Sequence, residues 1–403
     1  MSIELNKLCE LIVDCPHSTA VDEGIGYPLI RTPNIDAGYF NLEGVHRVSR
    51  AVYDKRNQRA IPKPGDLILA REAPAGNVAI IPEGAEFCLG QRTVLIRPDA
   101  SKVYPPFLNY YLNAPEQRHK LLRNANGATV SHVNMPIIRN LPIELPSMKD
   151  QRRVAGILAA YDSLIENNRK RIKLLEEASH RLYKEWFIDL NFPGHETAKI
   201  NSETGLPEGW VSQKLYETVN VIRGVSYTSD TLSTAKGKRL LNLGNLMPYG
   251  GFRDGYEKYY LGKFGEHHVL SSGDIVLGLT EQAEGLAGYA ARIPSYLKGS
   301  LFSADLALLQ PLQLSSEYLY ASLRYGNISR TLSPFASGAK IKHLKPDHLR
   351  GVEIVVADEA TVKSFSETAR LLLSKQDVCR QAINCLREAR DRLLPKLMEA
   401  CND

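Results

Sequence analysis

The chain has 403 residues, 43% hydrophobic and 24% charged, with a formal net charge of +5 and a pI near 8.7. That is the composition of an ordinary folded protein with room for two or more cores, and it excludes a disordered or fibrous polymer. The small positive excess leans toward an anionic partner. No apolar run reaches the roughly eighteen residues a membrane span requires, and the N-terminal MSIELNKLCE has no apolar secretory core. The cysteines Cys9, Cys15, Cys88, Cys379, Cys385 and Cys401 form no C-x-x-C pair and share no zinc-ligand spacing with histidine. A soluble, cytoplasmic protein with reduced thiols and no metal is expected.

From Met1 to about Met148, short strand-like runs alternate with Gly and Pro. YPLIRTPNI (27–35), GDLILAR (65–71), NVAIIP (77–82) and RTVLIRP (92–98) predict strands, separated by turn chemistry such as PKPG and PAG. A helix is predicted from Pro105, broken or kinked at Pro115. The loop NGATVSHVNMP (126–136) and the extended LPIELP complete an α+β domain, 1–148.

Residues 149–187 contain no Pro and no Gly after Gly156. Leu158, Tyr161, Ile165, Asn168, Ile172, Leu175, Ser179, Leu182 and Trp186 follow one another at alternating steps of three and four. This is a heptad seam, which sends a helix against a partner helix. Asp150 is the expected cap, and Asn168 is a candidate for setting the register. The polar stretch 188–209, with three Gly and two Pro, reads as a linker.

From about Trp210 the first half begins again. KLCE (7–10) matches KLYE (214–217), IRTPNI (30–35) matches LNLGNL (241–246), and PGDLILAR matches SGDIVLGL (272–279). NGATVSHVNMP matches SGAKIKHLKPD (337–347). Gly127 and Gly338 stand 211 positions apart, as do Arg181 and Arg392. The same offset carries the seam to Ala369, Leu372, Gln376, Cys379, Ile383, Leu386, Arg390, Leu393 and Leu397, in a helix over 359–399 that follows a second domain, 210–358. The expected fold is therefore α+β: two similar domains separated by two long helices forming an antiparallel coiled coil, with an internal pseudo-twofold repeat. Dimerisation through the heptads is the competing use, but the second helix is already covalently present.

No P-loop, no strand–GxGxxG–helix, no [ND]-P-P-[YF] and no H-E-x-x-H is present. His267–His268 is expected to be a solvated loop pair. Asp66 and Asp274 recur in the repeated Gly-Asp, but Glu72 has no counterpart in the second copy, so these aspartates read as turn residues rather than catalytic ones. No catalytic residue is expected.

Candidate nucleic-acid contacts cluster in the repeated loops. Thr129, Ser131, His132 and Asn134 follow Gly127-Ala128, and Lys340, Lys342, His343 and Lys345 follow Gly338-Ala339. Lys neutralises phosphate, whereas His and Asn reach base edges. The bland alternative is an ordinary turn leading into a strand. Arg31 and Asn34, paired with Asn242 and Asn245, are weaker candidates of the same kind.

The helix DQRRVAGILAAYDSLIENNRKRIKLLEEASHRLYKEWF, together with LPEGW (206–210), PGDLILAR and NGATVSHVN followed by LPIELP, resembles the specificity subunit of type I restriction-modification systems. The resemblance covers nearly the whole chain. It implies two target-recognition domains that each read half of a split double-stranded DNA sequence, with antiparallel helices fixing the spacer. It also implies two modification subunits that bring S-adenosylmethionine and methylate adenine, and restriction subunits that use ATP, with no cofactor in this chain. The seam residues Leu158, Tyr161, Ile165, Ile172, Leu175, Leu182, Trp186, Leu372, Ile383, Leu386, Leu393 and Leu397, with Arg152 and Arg153 beside them, become the expected coiled-coil and subunit interface. The second helix departs from the pattern: AREARDRLLPKLM, with Pro395, replaces the LYKEWF ending. The rival expectations are a catalytic nuclease or methyltransferase, and a coiled-coil protein-binding scaffold without sequence-specific DNA readout.

Overall fold

A computed structural model describes residues 2–72, 74–123, 132–338 and 342–400. The chain divides into two compact units, one of residues 1–166 and 384–403, the other of residues 167–383.

The first unit contains strands β1 (Ser2–Glu4), β2 (Cys9–Asp14), β3 (Tyr27–Ile30), β4 (Arg47–Val48), β5 (Leu67–Ala70), β6 (Val78–Ile80), β7 (Cys88–Leu89), β8 (Thr93–Pro98) and β9 (Pro142–Glu144). Its short helices are α1 (Arg50–Arg56), α2 (Pro105–Asn113), α3 (Pro115–Arg123) and α4 (Met135–Arg139). The main sheet is antiparallel in the order β2-β8-β5-β6, and a smaller sheet runs β4-β3-β7. The LILA of β5 is apolar on both faces because both faces are covered. Leu67 and Leu69 join the core built with Phe107, Leu108 and Leu112 of α2, while Ile68 and Ala70 join a second core with Ile30 and Leu89 of the small sheet. Each fully buried Leu or Ile there contributes about 1.5–3 kcal/mol. Pro115 does end one helix and start the next, since it supplies no N–H to continue the ladder.

The second unit contains the long helix α5 (Met148–Tyr183) from Asn167 onward, with β10 (Val211–Lys214), α6 (Leu215–Thr218), β11 (Val219–Arg223), β12 (Leu232–Ser233), β13 (Lys238–Leu241), β14 (Lys258–Tyr260) and β15 (Ile275–Gly278). It continues with β16 (Thr280–Glu281), β17 (Ala290–Arg292), β18 (Leu301–Phe302), β19 (Leu306–Pro311), α7 (Ser316–Tyr325), α8 (Ile328–Leu332), β20 (Lys342–His343), β21 (Glu353–Val356) and the start of α9 (Glu359–Glu399). Its main sheet runs β11-β19-β15-β17 and its small sheet β12-β14-β13-β18. The small sheets of the two units share an unusual detail: one parallel pair, Leu29 opposite Cys88 in the first and Leu240 opposite Leu301 in the second. The β1–β9 pairing likewise has a counterpart in β10–β21.

The expected cap of α5 is corrected. Ser147 precedes the helix, its Oγ accepts from Asp150 N at 3.2 Å, and its hydroxyl donates to the Asp150 carboxylate at 2.6 Å, so Ser147 is the cap and Asp150 the third helical residue that orients it. After Tyr183 the helix ends in a π turn, Lys184–Ile188. The stretch after it is more than a linker: Phe192 is 6% exposed and packs on Trp210 with ring centroids 5.0 Å apart, and Trp210 donates to Asp358, which caps α9.

The eight seam positions in α5, Trp186 in the turn after it, and the nine seam positions of α9 are all buried or half-buried, whereas Leu164, Leu174, Leu371 and Val378, off the seam, are 50–65% exposed. Within the first unit, Leu158 shares a core with Leu394 and Asp162 accepts from Arg390 Nη1, so these stretches of α5 and α9 run in opposite directions. Tyr110 of α2 also donates to Asp162, which ties the α+β part of the first unit to both helices. Within the second unit, Tyr183, Trp186 and Phe187 surround Phe365 of α9 at 6.3, 5.9 and 4.9 Å. Among the described residues, no helix is long and apolar enough to cross a membrane.

Candidate nucleic-acid interface

The paired asparagines are not base contacts. Asn34 is 5% exposed, its Oδ1 accepts from Arg31 N at 3.1 Å, and its Nδ2 donates to Asn41 O at 3.2 Å. Asn245 is fully buried and does the same, with Oδ1 accepting from Asn242 N at 3.0 Å and Nδ2 donating to Arg253 O at 3.1 Å. A buried amide that satisfies both a donor and an acceptor of the main chain holds a turn and cannot also turn outward to a base. Asn242 is half-buried and equally committed, its Nδ2 donating to Tyr256 O and its Oδ1 accepting from Gly244 N at 2.9 Å. Arg31 is half-buried against Gly90, and its Nε makes no hydrogen bond.

Thr129, Ser131 and Lys340 lie outside the described residues. His132 is corrected as a base contact. Arg71 Nη2 lies 2.8 Å from His132 Nε2, and Arg71 can only donate, so Nε2 accepts and Nδ1 carries the hydrogen given to Glu72. Both ring nitrogens are thereby used. The buried Arg71 also donates from Nη1 to both carboxylate oxygens of Asp14 at 2.7 Å and from Nε to Val133 O at 2.9 Å, and Glu72 pairs with Arg92 at 3.0 Å. Arg71, Asp14 and Arg92 were not among the expected site residues; their signal was an arginine directly after the apolar LILA run. Asn134 is half-buried at the start of α4, where its carbonyl accepts from Ile137 N at 3.0 Å. Lys342, His343 and Lys345 are exposed, the first two on β20 opposite Glu281 and Thr280.

The two aspartates hold turns. Asp66 is 3% exposed, forks with Arg97 at 2.8 and 2.7 Å and accepts from Lys63 N at 2.9 Å. Asp274 accepts from Ser271 N at 2.7 Å, and burial pushes its carboxyl above the usual range. His267 and His268 sit in a 3-10 turn with ring centroids 3.9 Å apart, and burial lowers the His268 pKa. Among the described residues, no group of three or more His, Cys, Asp or Glu could hold a metal ion.

Local charge is the signal that the motif comparison missed. Residues 236–263, around the small sheet of the second unit, carry six basic side chains: Lys236, Lys238, Arg239, Arg253, Lys258 and Lys263. All six are exposed. The two acidic residues of that segment turn inward or bind locally: Asp254 accepts from Tyr296 OH at 2.6 Å, and Glu257 from Gly255 N at 3.4 Å. Exposed Tyr256 and Phe264 interleave with the cations, and Lys258 lies 5.2 Å from the Tyr227 ring. Six exposed cations with interleaved aromatic rings form a surface suited to a polyanion with stacked bases.

Comparison with known proteins points to one family. A family model described as the type I restriction modification DNA specificity domain matches residues 3–177. The type I restriction enzyme MjaIX specificity subunit of Methanocaldococcus jannaschii is 22% identical over 386 residues, 91% of this chain and 85% of that protein. The MjaVIII specificity subunit of the same organism is 30% identical over 175 residues, 43% of this chain and 40% of that protein. The crystal structure of a type I restriction-modification system S subunit from M. genitalium shares the fold, with a TM-score of 0.55 at 14% identity over 98% of this chain and 95% of that one.

Proposed function

The chain belongs to the family of type I restriction-modification specificity subunits, and from that premise we propose how its parts divide the work of DNA sequence specificity. Each unit's domain reads one half of a bipartite target in double-stranded DNA. The seams of α5 and α9 pack antiparallel as a coiled coil, give the chain an internal pseudo-twofold axis and set the spacer between half-sites. The outer faces of these helices dock two modification subunits, and in the full enzyme restriction subunits join them. S-adenosylmethionine and ATP belong to those partners, so the chain itself performs no covalent step.

The observation that carries this reading is the recurrence of one turn with one set of hydrogen bonds in both units, built on Asn34 and on Asn245. Two similar scaffolds with different exposed side chains suit two readings of an asymmetric target. The test is adenine-methylation mapping of DNA exposed to the chain assembled with its modification subunits. A split motif is expected, and replacing residues 1–148 with the matching segment of another specificity subunit changes one half-site only. A change in both half-sites at once overturns the division of labour.

A further inference from the structure

The buried asparagines point to the residues they hold. In the first unit a tight hairpin runs from Asn34 to Asn41: Asn41 N donates to Asn34 O at 2.9 Å, Asn34 Nδ2 donates to Asn41 O at 3.2 Å, and Ile35 bridges Phe40. In the second unit the hairpin runs from Asn245 to Arg253 and is one residue longer. Arg253 N donates to Asn245 O at 2.8 Å, Asn245 Nδ2 donates to Arg253 O at 3.1 Å, and Leu246 bridges Phe252. Each hairpin is tied to the edge of its main sheet, through Gly38 N to Val78 O at 2.8 Å and Gly251 N to Ala290 O at 2.9 Å. The two residues gripped at both backbone groups, Asn41 and Arg253, therefore occupy equivalent places. Both are exposed.

Arg253 is fixed further than its backbone. Its Nε donates to Gly244 O at 3.0 Å and its guanidinium lies 4.3 Å from the Tyr256 ring centroid, so the exposed guanidinium of the fourth of the six cations is held by a bond that uses only Nε. A phosphate contact tolerates a mobile lysine, whereas a base edge requires a fork held in one plane. Arginine in that setting matches the N7 and O6 acceptors of guanine, and asparagine matches the N7 and N6 groups of adenine. Asn41 Oδ1 accepts from Glu43 N at 3.1 Å, which fixes the plane of its amide in turn.

We propose that Arg253 and Asn41 are paired specificity-determining residues, Arg253 reading a guanine in the half-site of the second unit and Asn41 reading an adenine in that of the first. This rests on the reading of each unit as the reader of one half-site. The experiment maps adenine methylation by the assembled complex carrying wild-type chain, Arg253→Lys, Arg253→Ala or Asn41→Ala. A split motif with the wild-type chain establishes the underlying reading; no defined motif overturns that reading, and this proposal with it. Given the motif, both Arg253 variants should lose discrimination at one guanine position of one half-site, by roughly 5- to 150-fold, and leave the other half-site intact. Asn41→Ala should relax one adenine in the opposite half-site. An unchanged motif with weaker binding and a shallower salt dependence would identify Arg253 as a phosphate contact and overturn the proposal. Arg253→Lys keeps the stem and the charge, and thermal unfolding at the wild-type temperature confirms that a change in motif comes from the lost fork. Relaxation of both half-sites by one variant also overturns it.

Discussion

Asn245 has no access to solvent and serves two main-chain partners, so truncation would strand Asn242 N and Arg253 O in place. Asn245→Ala should lower unfolding free energy by about 1–3 kcal/mol, and Asn34→Ala should do likewise in the first unit. Urea unfolding of the two variants checks this; a loss below a few tenths of a kcal/mol in both would mean the turn holds itself. The same pair shows why the site was hard to read from residues alone. Polar residues that recur between the halves recur because both scaffolds need the same turn, whereas readers of different half-sites must differ. Matching the halves therefore exposes the scaffold, and the reader has to be sought among the mismatches. Arg253 was obscured further by the extra residue in its hairpin, which breaks the 211 spacing against Asn41.

Elements with a long apolar run or a helical period were legible, and the shortest strands were not. The strands at Leu67–Ala70 and Thr93–Pro98 and both long helices follow from apolar runs or heptads. The small sheets rest on pairs such as Cys88–Leu89 and Leu301–Phe302, too short to show alternation, and they are specified by covering the main sheet. The end of α5 was legible only in part, because a cap lies in the hydrogen bonding between two residues. Ser147→Ala removes the oxygen that receives Asp150 N and should cost about 1 kcal/mol, read as a lower midpoint in denaturant unfolding of the whole chain. Asp150→Asn should cost less, since the serine would still accept from the backbone. Equal losses for both substitutions would contradict the assignment of Ser147 as the cap.

At the scale of the molecule, two long helices in matching heptad frames set a geometric expectation on the target. The helices have 36 and 41 residues, and at about 1.5 Å per residue each extends over roughly 55–60 Å. If their pairing sets the separation of the readers, lengthening both must lengthen the DNA between half-sites. Four residues inserted in each, after Glu166 and after Ile383, add about 6 Å, the rise of about two base pairs at ~3.4 Å each. A four-residue insertion is a stutter, which unwinds a coiled coil locally without reversing which face is apolar. The methylated motif should keep both half-sites and gain one or two base pairs of spacer, because the hairpins at Asn41 and Arg253 lie far along the chain from either insertion. Retention of the original spacer would assign the separation of half-sites to contacts other than the helices. Combining the insertion with Arg253→Lys separates the two determinants: the spacer should shift and one guanine should relax, each as in the single change.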